Sequence, residues 1–353
     1  MKNKKDLAWK KNRERVSIAI LTHNGWEKGV LQICLQSLIK QDYPNAEIIV
    51  VDNCSTDGSA EKIKDWYMHH RSKFSLRVIK NTKNSVASAI NIVIKKSKAK
   101  YIAVFGDDTQ AMPDALKGII EAMESDIRIG VAMFRSMNYF ERDKIDSVGD
   151  SFDFYGNAEV GKYGEIYRGQ YTGIREIPLA GVAYVFRRNI VSDIGLFDEM
   201  FHTGYEDADF CIRARLYGYR IVSVSDAVIF HRRGASYNSA TKDSKRILES
   251  MKFNFYKDQF MILIKNYELK NLMIALPIAV FMYLPMGLYQ AFFQKKPKDL
   301  WLRIKSILWV IYHSGYILKQ RQFVQKIRKF PDTEIMRYMS KNLYVKYLGL
   351  SKR

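Results

Sequence analysis

Residues 101–109 read Tyr-Ile-Ala-Val-Phe-Gly-Asp-Asp-Thr: five apolar residues without interruption, a glycine, then two carboxylates side by side. A run of this length closed by glycine reads as a strand buried on both faces, as in parallel sheets covered by helices. The same grammar repeats on either side of it. VSIAIL (16–21) reads as strand one, EKGVLQICLQSLIKQ (27–41) as a helix and EIIVVD (47–52) as strand two. NCSTDGS (53–59) supplies turn and capping residues for a helix through Trp66. LRVIK (76–80) is strand three, SVASAINIVIKKS (85–97) a helix and YIAVFG (101–106) strand four. Four strands joined by right-handed crossovers predict an α/β architecture with a largely parallel sheet and a Rossmann-like first half.

Beyond IGVAMF (129–134) the pattern is irregular from Arg135 to Ile177, which reads as a loop-rich insertion. Regularity returns with AGVAYVFRR (180–188), a helix through Ile194, the turn GLFDE (195–199), a helix over DADFCIRARLYG (207–218) and a strand pair around RIVSVSDAVIFH (220–231).

Ligands of open α/β sheets bind outside the carboxyl ends of the strands. Here those ends are polar and acidic: Thr22-His23-Asn24, Asp52-Asn53 and Gly106-Asp107-Asp108-Thr109. No G-x-G-x-x-G or Walker A loop follows any strand, which argues against dinucleotide oxidoreductases and P-loop enzymes. Adjacent carboxylates at a sheet mouth repel each other unless a cation sits there, and a divalent metal carrying a diphosphate supplies one. The competing reading of GDDT is a polar turn that caps the helix from Pro113.

The chain has 353 residues and a formal charge of +20, spread unevenly. Residues 1–15 carry a net +5 and residues 295–353 a net +12, which leaves +3 for residues 16–294. A near-neutral body with basic ends does not fit a nucleic-acid binder, whose charge lies on its folded reading surface. Lys/Arg flanking apolar segments fit an anionic lipid surface. LMIALPIAVFMYLPMGLYQAFF (272–293) is uncharged over 22 residues and ends at Lys295 and Lys296. It is long enough to span a bilayer. Pro277 and Pro285 favour kinked helices lying at the interface, and both readings stay open. Further on, Trp301, Ile304, Ile307, Leu308, Ile311 and Tyr312 recur at helical spacing among Arg303 and Lys305, as in an interfacial helix over residues 300–318. Packing of these residues on the catalytic body, or on a second copy of the chain, is the alternative. The N-terminal stretch is basic without an apolar run, and the three cysteines (Cys34, Cys54, Cys211) have no C-x-x-C spacing, so a reduced, cytoplasmic setting is expected.

Four segments, VSIAILTHNG, VVDNCSTDGS, VFGDDTQAMPDAL and the long GVAYVFRRNIVSDIGLFDEMFHTGYEDADFCIRARLYGYRIVSVSDAVIFH, follow one another in order between Val16 and Ser236. In these the chain resembles the family 2 inverting glycosyltransferases, in particular their rhamnosyltransferase-like branch. The resemblance implies the GT-A (Rossmann-like) nucleotide-diphospho-sugar transferase fold over residues 16–250, after a basic tail (1–15) and before a C-terminal helical, membrane-associating region (251–353). It implies a UDP-, dTDP- or GDP-linked donor, a glycan or lipid-linked acceptor, and Mn2+ or Mg2+.

By that resemblance Thr22, Asn24, Asp52 and Asp57 line the nucleoside pocket, with Asp52 accepting from the base. Asp57 also reads as a helix N-cap. Asp108 takes the last position of the metal-binding D-x-D motif with Asp107 beside it in the donor site, whereas the usual first Asp falls at Gly106. Asp207 becomes the general base, with Glu206 next to it. An inverting transfer needs one carboxylate to take the acceptor's proton while a metal stabilises the leaving diphosphate. Acids at a helix start are also favoured by the helix dipole alone. His231 completes the metal shell or binds the diphosphate, against the ordinary reading of a strand-end histidine. Arg232 and Arg233 face phosphate or lipid headgroups. Gly181 matches the acceptor-side glycine, where backbone must approach closely. Ser85 and Val93 stand where the donor-facing loop usually has glycine. The rival function is a catalytically silent, membrane-bound nucleotide-sugar-binding module; unpaired acids at Asp52, Asp108, Glu206 and Asp207 argue against it.

Overall fold

A computed structural model describes residues 13–201, 204–233 and 242–340. Most of the basic N-terminal tail and the last basic residues of the chain lie outside these. The first half is as the apolar runs predict: β1 (Val16–Thr22), α1 (Val30–Leu38), β2 (Ala46–Asn53), α2 (Ser59–His69), β3 (Ser75–Asn81), α3 (Val86–Lys96) and β4 (Tyr101–Gly106). β1 pairs in parallel with both β2 and β4, and β2 with β3. The helix expected from Glu27 starts only at Val30, after Gly29 in left-handed backbone (φ 67°).

The second half comprises β5 (Thr109–Ala111), α4 (Ala115–Ser125), β6 (Ile129–Asn138), β7 (Ile145–Ser147), β8 (Ser151–Phe152), β9 (Ala158–Glu159), β10 (Ile174–Glu176), β11 (Ala183–Arg187), α5 (Ile190–Ile194), α6 (Glu206–Tyr217) and β12 (Arg220–His231). The main sheet runs β10-β12-β6-β11-β4-β1-β2-β3, with β5 and β7 paired to β12 and β6. It is mixed rather than largely parallel, because β11 enters antiparallel between β4 and β6. β12 is one strand where a pair was expected. A bulge between Val224 and Val228 lets it bend without leaving β6, so that its far end still pairs His231 with Asn138 and, across β5, with Thr109.

Two apolar layers cover the sheet. One face buries Leu31, Leu35, Ile63 and Ile119 of α1, α2 and α4. The other buries α3, α5 and α6 together with Phe260 and Leu263 of α7 (Lys242–Asn266) and Tyr267 just after it. α7 runs through the expected division at residue 250 and continues the catalytic core. Lys265 of α7, buried beneath Phe201, ion-pairs with Asp198 (2.5 Å) and Asp209 (3.0 Å), and Asp209 also holds Arg213 (2.9 Å). Pairing of this kind offsets the cost of burying the charges.

Three longer helices follow: α8 (Leu269–Phe292), α9 (Pro297–Tyr312) and α10 (Ser314–Ile327), then a short α11 (Thr333–Met336). The expected helix over 300–318 is divided at His313 into α9 and α10. α10 is bound to the body: Arg321 donates to the carbonyls of Ile264 and Tyr267, and Gln325 to those of Lys265 to Tyr267, so side chains close the C-terminus of α7. α8 contains Pro277 and Pro285 yet stays one helix, and is long and apolar enough to cross a membrane by length and composition. It buries only a narrow stripe, Leu272, Ala275, Ala279, Tyr283 and Gly287.

Candidate active site

The carboxyl ends of β1, β2 and β4 gather the donor-side residues. Thr22 Oγ1 donates to Asp107 Oδ2 (2.6 Å), and a side chain at Gly25 would collide with both partners, at 2.4 and 2.3 Å. Asp107 is thereby turned toward β1. Burial raises its carboxyl to about 6, with the Thr22 bond working against the rise and the neighbouring Asp108 charge adding to it. Asn24, in left-handed backbone, accepts from the Thr56 amide (2.7 Å), and its own amide donates to Ser55 Oγ (2.9 Å). The loop after β1 is thus tied to the loop after β2. Asp52 Oδ1 takes the Ser55 amide (2.9 Å), and Oδ2 carries no hydrogen bond among the described residues. Asp57 spends both oxygens locally, on the amides of Glu27 and Ser59 and the Ser59 hydroxyl. Its geometry is that of a loop-to-helix tie. Ser85 caps α3 through the Ser88 amide, and Val93 is core.

Asp108 diverges from Asp107 and faces β12: its Oδ2 lies 3.3 Å from His231 Nε2, and its carbonyl accepts from the Arg232 amide (2.9 Å). The other imidazole nitrogen, Nδ1, meets Asp146 Oδ2 at 2.9 Å. Asp146 is fully buried, also accepts from Ser136 Oγ (2.8 Å), and ion-pairs with Arg233. Burial works against charging His231, but bonds to Asp108 and Asp146 prevail and raise it to about 9. Arg232 lies over the rings of Tyr139 and Phe140.

No group of three or more His, Cys, Asp or Glu side chains able to hold a metal occurs among the described residues. The donor set therefore has to be tested as a pair. Two ligands at right angles, each about 2.1 Å from an octahedral Mg2+-sized ion, are about 3 Å apart, and Asp108 Oδ2 and His231 Nε2 are 3.3 Å apart. A hard carboxylate oxygen beside an imidazole whose far nitrogen is fixed by a carboxylate suits Mn2+ or Mg2+. The remaining positions belong to phosphate oxygens and water, as is usual for ions that keep few protein ligands.

A second cluster lies at the start of α6. Gly181 sits between two carboxylates: a Cβ there would be 2.4 Å from Asp150 Oδ2 and 3.5 Å from Asp207 Oδ2. Asp150 is anchored by Ser147 Oγ (2.7 Å). Asp207 is partly exposed and takes the Ala208 amide (2.7 Å), and among the described residues no cation pairs with it. Burial, then the charges of Glu206 and Asp150, raise its carboxyl well above the usual range. Glu206 is buried and turned back on its own loop, taking the amides of Gly204 (2.7 Å) and Tyr205 (3.1 Å). It shapes the entry to α6 while Asp207 is left free. No hydrogen bond or ion pair joins the Asp108–His231 pair to Asp207 among the described residues.

Two residues of these clusters, Asp146 and Asp150, were not picked out from sequence. Both fall in the irregular stretch, and the only trace is two acids four apart around a serine and a glycine, in DSVGD (146–150).

A parallel half-sheet ending in acids, an antiparallel strand beside it and a helical cover define a GT-A, nucleotide-diphospho-sugar transferase fold. Residues 17–195 match the Glycosyl transferase family 2, and the chain belongs to that family. It is 26% identical over 208 residues to poly-beta-1,6-N-acetyl-D-glucosamine synthase of Staphylococcus epidermidis, covering 59% of this chain and 47% of that protein. It is 31% identical over 146 residues to glycosyltransferase GlyG of Streptococcus pneumoniae serotype 4, covering 40% and 44%. The chain thus spans about half the length of these curated relatives. Among solved structures, mannosyltransferase PcManGT of Pyrobaculum calidifontis, in complex with GDP-Man and Mn2+, superposes with TM-score 0.51 at 16% identity over 95% of this chain and 89% of that one. GalNAc-T7 with UDP, GalNAc and Mn2+ gives 0.54 at 18% over 71% and 51%.

Proposed function

We propose that this protein transfers a sugar from a nucleotide-sugar donor to a hydroxyl of a glycan or lipid-linked acceptor, with inversion, at the cytoplasmic face of a membrane. The observation that carries the reading is Asp207: a carboxylate at a helix start, partly open, unpaired by any cation among the described residues and raised in proton affinity. Two residues on, Asp209 is fully neutralised by Arg213 and Lys265. Only the first can serve as a base.

In the proposed reaction Asp207 accepts the acceptor hydroxyl proton as that oxygen bonds to the anomeric carbon and the bond to the diphosphate oxygen breaks. Asp52 Oδ2 accepts from the base, and Thr22 and Asn24 hold the two loops that flank it. Asp108 and His231 hold the divalent ion, whose charge offsets that of the leaving nucleoside diphosphate. Gly181 lets the acceptor approach between Asp150 and Asp207. Membrane attachment rests on α8 and α9, which leave Phe281, Phe292, Trp301 and Ile311 exposed, and on the basic residues beside them. Because α8 buries one face on α7 and α9, the reading places it along the membrane surface. The relatives, a polysaccharide synthase among them, agree with an acceptor of this class.

The test is to incubate detergent-solubilised protein with UDP-, dTDP- and GDP-linked sugars and Mn2+ or Mg2+, following nucleoside diphosphate release and the anomeric configuration of the product. Release from one donor with inverted product is expected. Binding of a donor without turnover under any condition would favour the silent binding module.

A further inference from the structure

Between α8, α9 and the loop before β9 lies a cavity of about 670 Å³, lined by Tyr155, Asn157, Gln259, Tyr283, Met286 and Arg303 among others. Its walls are mostly apolar, but a guanidinium is buried in it. Arg303 is only 4% exposed. No carboxylate pairs with it among the described residues, and its Nε has no hydrogen-bond partner. The nearest acid along α9, Asp299 one turn earlier, is engaged by Lys252 (2.8 Å). Arg303 is held instead by the rings of Tyr256 (4.4 Å) and Tyr283 (4.6 Å) and by one long contact to Gln290 (3.4 Å). Gly287 makes room for it, since a Cβ there would sit 2.9 Å from Arg303 Cδ. A buried cation without a counter-charge is costly unless a bound anion completes it.

We propose that this cavity binds a phosphate-bearing lipid, with the phosphate on Arg303 and the apolar chain along α8. The inference rests on the reading of a lipid-linked acceptor and gives that acceptor a place. Three features select a lipid over a free anion. The lining is largely apolar, as a chain requires. The α8 side of the cavity is continuous with the exposed Phe281 and Tyr289, so a chain can pass from bilayer to cavity without crossing water. The polar wall leads to the acceptor cluster: Gly156, between Tyr155 and Asn157, accepts from the Tyr205 hydroxyl (3.1 Å), and Tyr205 lies two residues before Asp207. A glycan attached to the phosphate would extend along that wall toward the base.

The experiment measures binding of farnesyl phosphate, farnesol and inorganic phosphate to the full chain in non-ionic detergent, with UDP binding followed in the same samples. Farnesyl phosphate should bind at least tenfold more tightly than farnesol, and inorganic phosphate should not displace it. Arg303→Gln removes one charge-assisted contact and should weaken farnesyl phosphate on the order of ten- to a hundredfold, with UDP binding unchanged. Met286→Trp, which narrows the cavity and leaves Arg303 in place, should weaken both lipids and serves if the first variant does not fold. Equal binding of phosphate and alcohol, displacement by inorganic phosphate at matching concentration, or undiminished binding by both variants overturns the proposal. Loss of UDP binding by the unaltered protein, with farnesyl phosphate binding kept, contradicts the nucleotide-sugar reading and leaves this one standing.

Discussion

Asp107 and Asp108 are neighbours in sequence but belong to different parts of the site. Thr22 turns one toward the end of β1 and His231 draws the other to the far strand. Their separation makes the metal pair testable apart from donor recognition. In Asp108→Ala the gain in UDP affinity that Mn2+ provides should vanish in calorimetric titration, and His231→Ala should show a smaller defect. If a chelator leaves both affinity and turnover of the unaltered protein intact, the metal assignment is wrong. At this scale the sequence was legible wherever a residue closes a strand. Thr22, Asp52, Asp108 and His231 all lie at the mouth because a parallel strand delivers its last residue there. Asp146 and Asp150 were not legible, since the stretch that holds them has no periodicity to place it. Asp57 and Glu206 show the other limit. Both are acids in the expected places, and only the structure shows them engaged by neighbouring backbone amides, Asp57 through both oxygens and Glu206 through Oε2.

The elements repeat this division between what burial patterns record and what they omit. Apolar runs marked β1 to β4 and their helices because a strand buried on both faces has no polar alternation. They did not record direction, so the antiparallel entry of β11 was hidden. The bulge of β12 was hidden too: the stretch expected to be a strand pair is one strand whose register shifts between Val224 and Val228. The same strand carries an acid-sensitive clamp. Arg220 and Arg215 bind Glu176 of β10 (2.7 and 3.3 Å), and Tyr338 beyond α11 donates to the same carboxylate. Burial works against the charged form of Glu176, but these bonds prevail and lower it from 4.5 to about 2. A depressed carboxyl stabilises the fold fully above its ordinary value and loses that contribution as pH falls from about 4.5 toward 2. Unfolding titrations should therefore show Glu176→Gln less stable than the unaltered protein at pH 7, with the gap narrowing as pH falls below about 4.5 and closing only below about pH 2. A gap that stays constant across this range would remove Glu176 from the clamp.

For the whole molecule, the sequence located an apolar, basic C-terminal region but not which faces of it are covered. Composition is the same for a helix packed on a body and for one left open. The structure answers in parts: α7 and α10 are built into the catalytic core, and α8 and α9 keep aromatic residues exposed, with Phe281 and Phe292 each 75% exposed. Full-length protein should stay with anionic vesicles through 1 M salt, where screening falls to about 3 Å and only apolar attachment survives. Phe281→Glu with Phe292→Glu should release it, at little cost to the fold because both side chains are exposed. Protein that remains in the supernatant without detergent contradicts membrane attachment.

We attribute the proton transfer of the proposed inverting sugar transfer to one carboxylate, Asp207. Asp207→Asn keeps the shape of the side chain and removes the base. With the donor at saturation, acceptor-dependent release of nucleoside diphosphate should fall by roughly 10²–10⁴, with UDP affinity unchanged. Turnover near that of the unaltered protein would contradict the account.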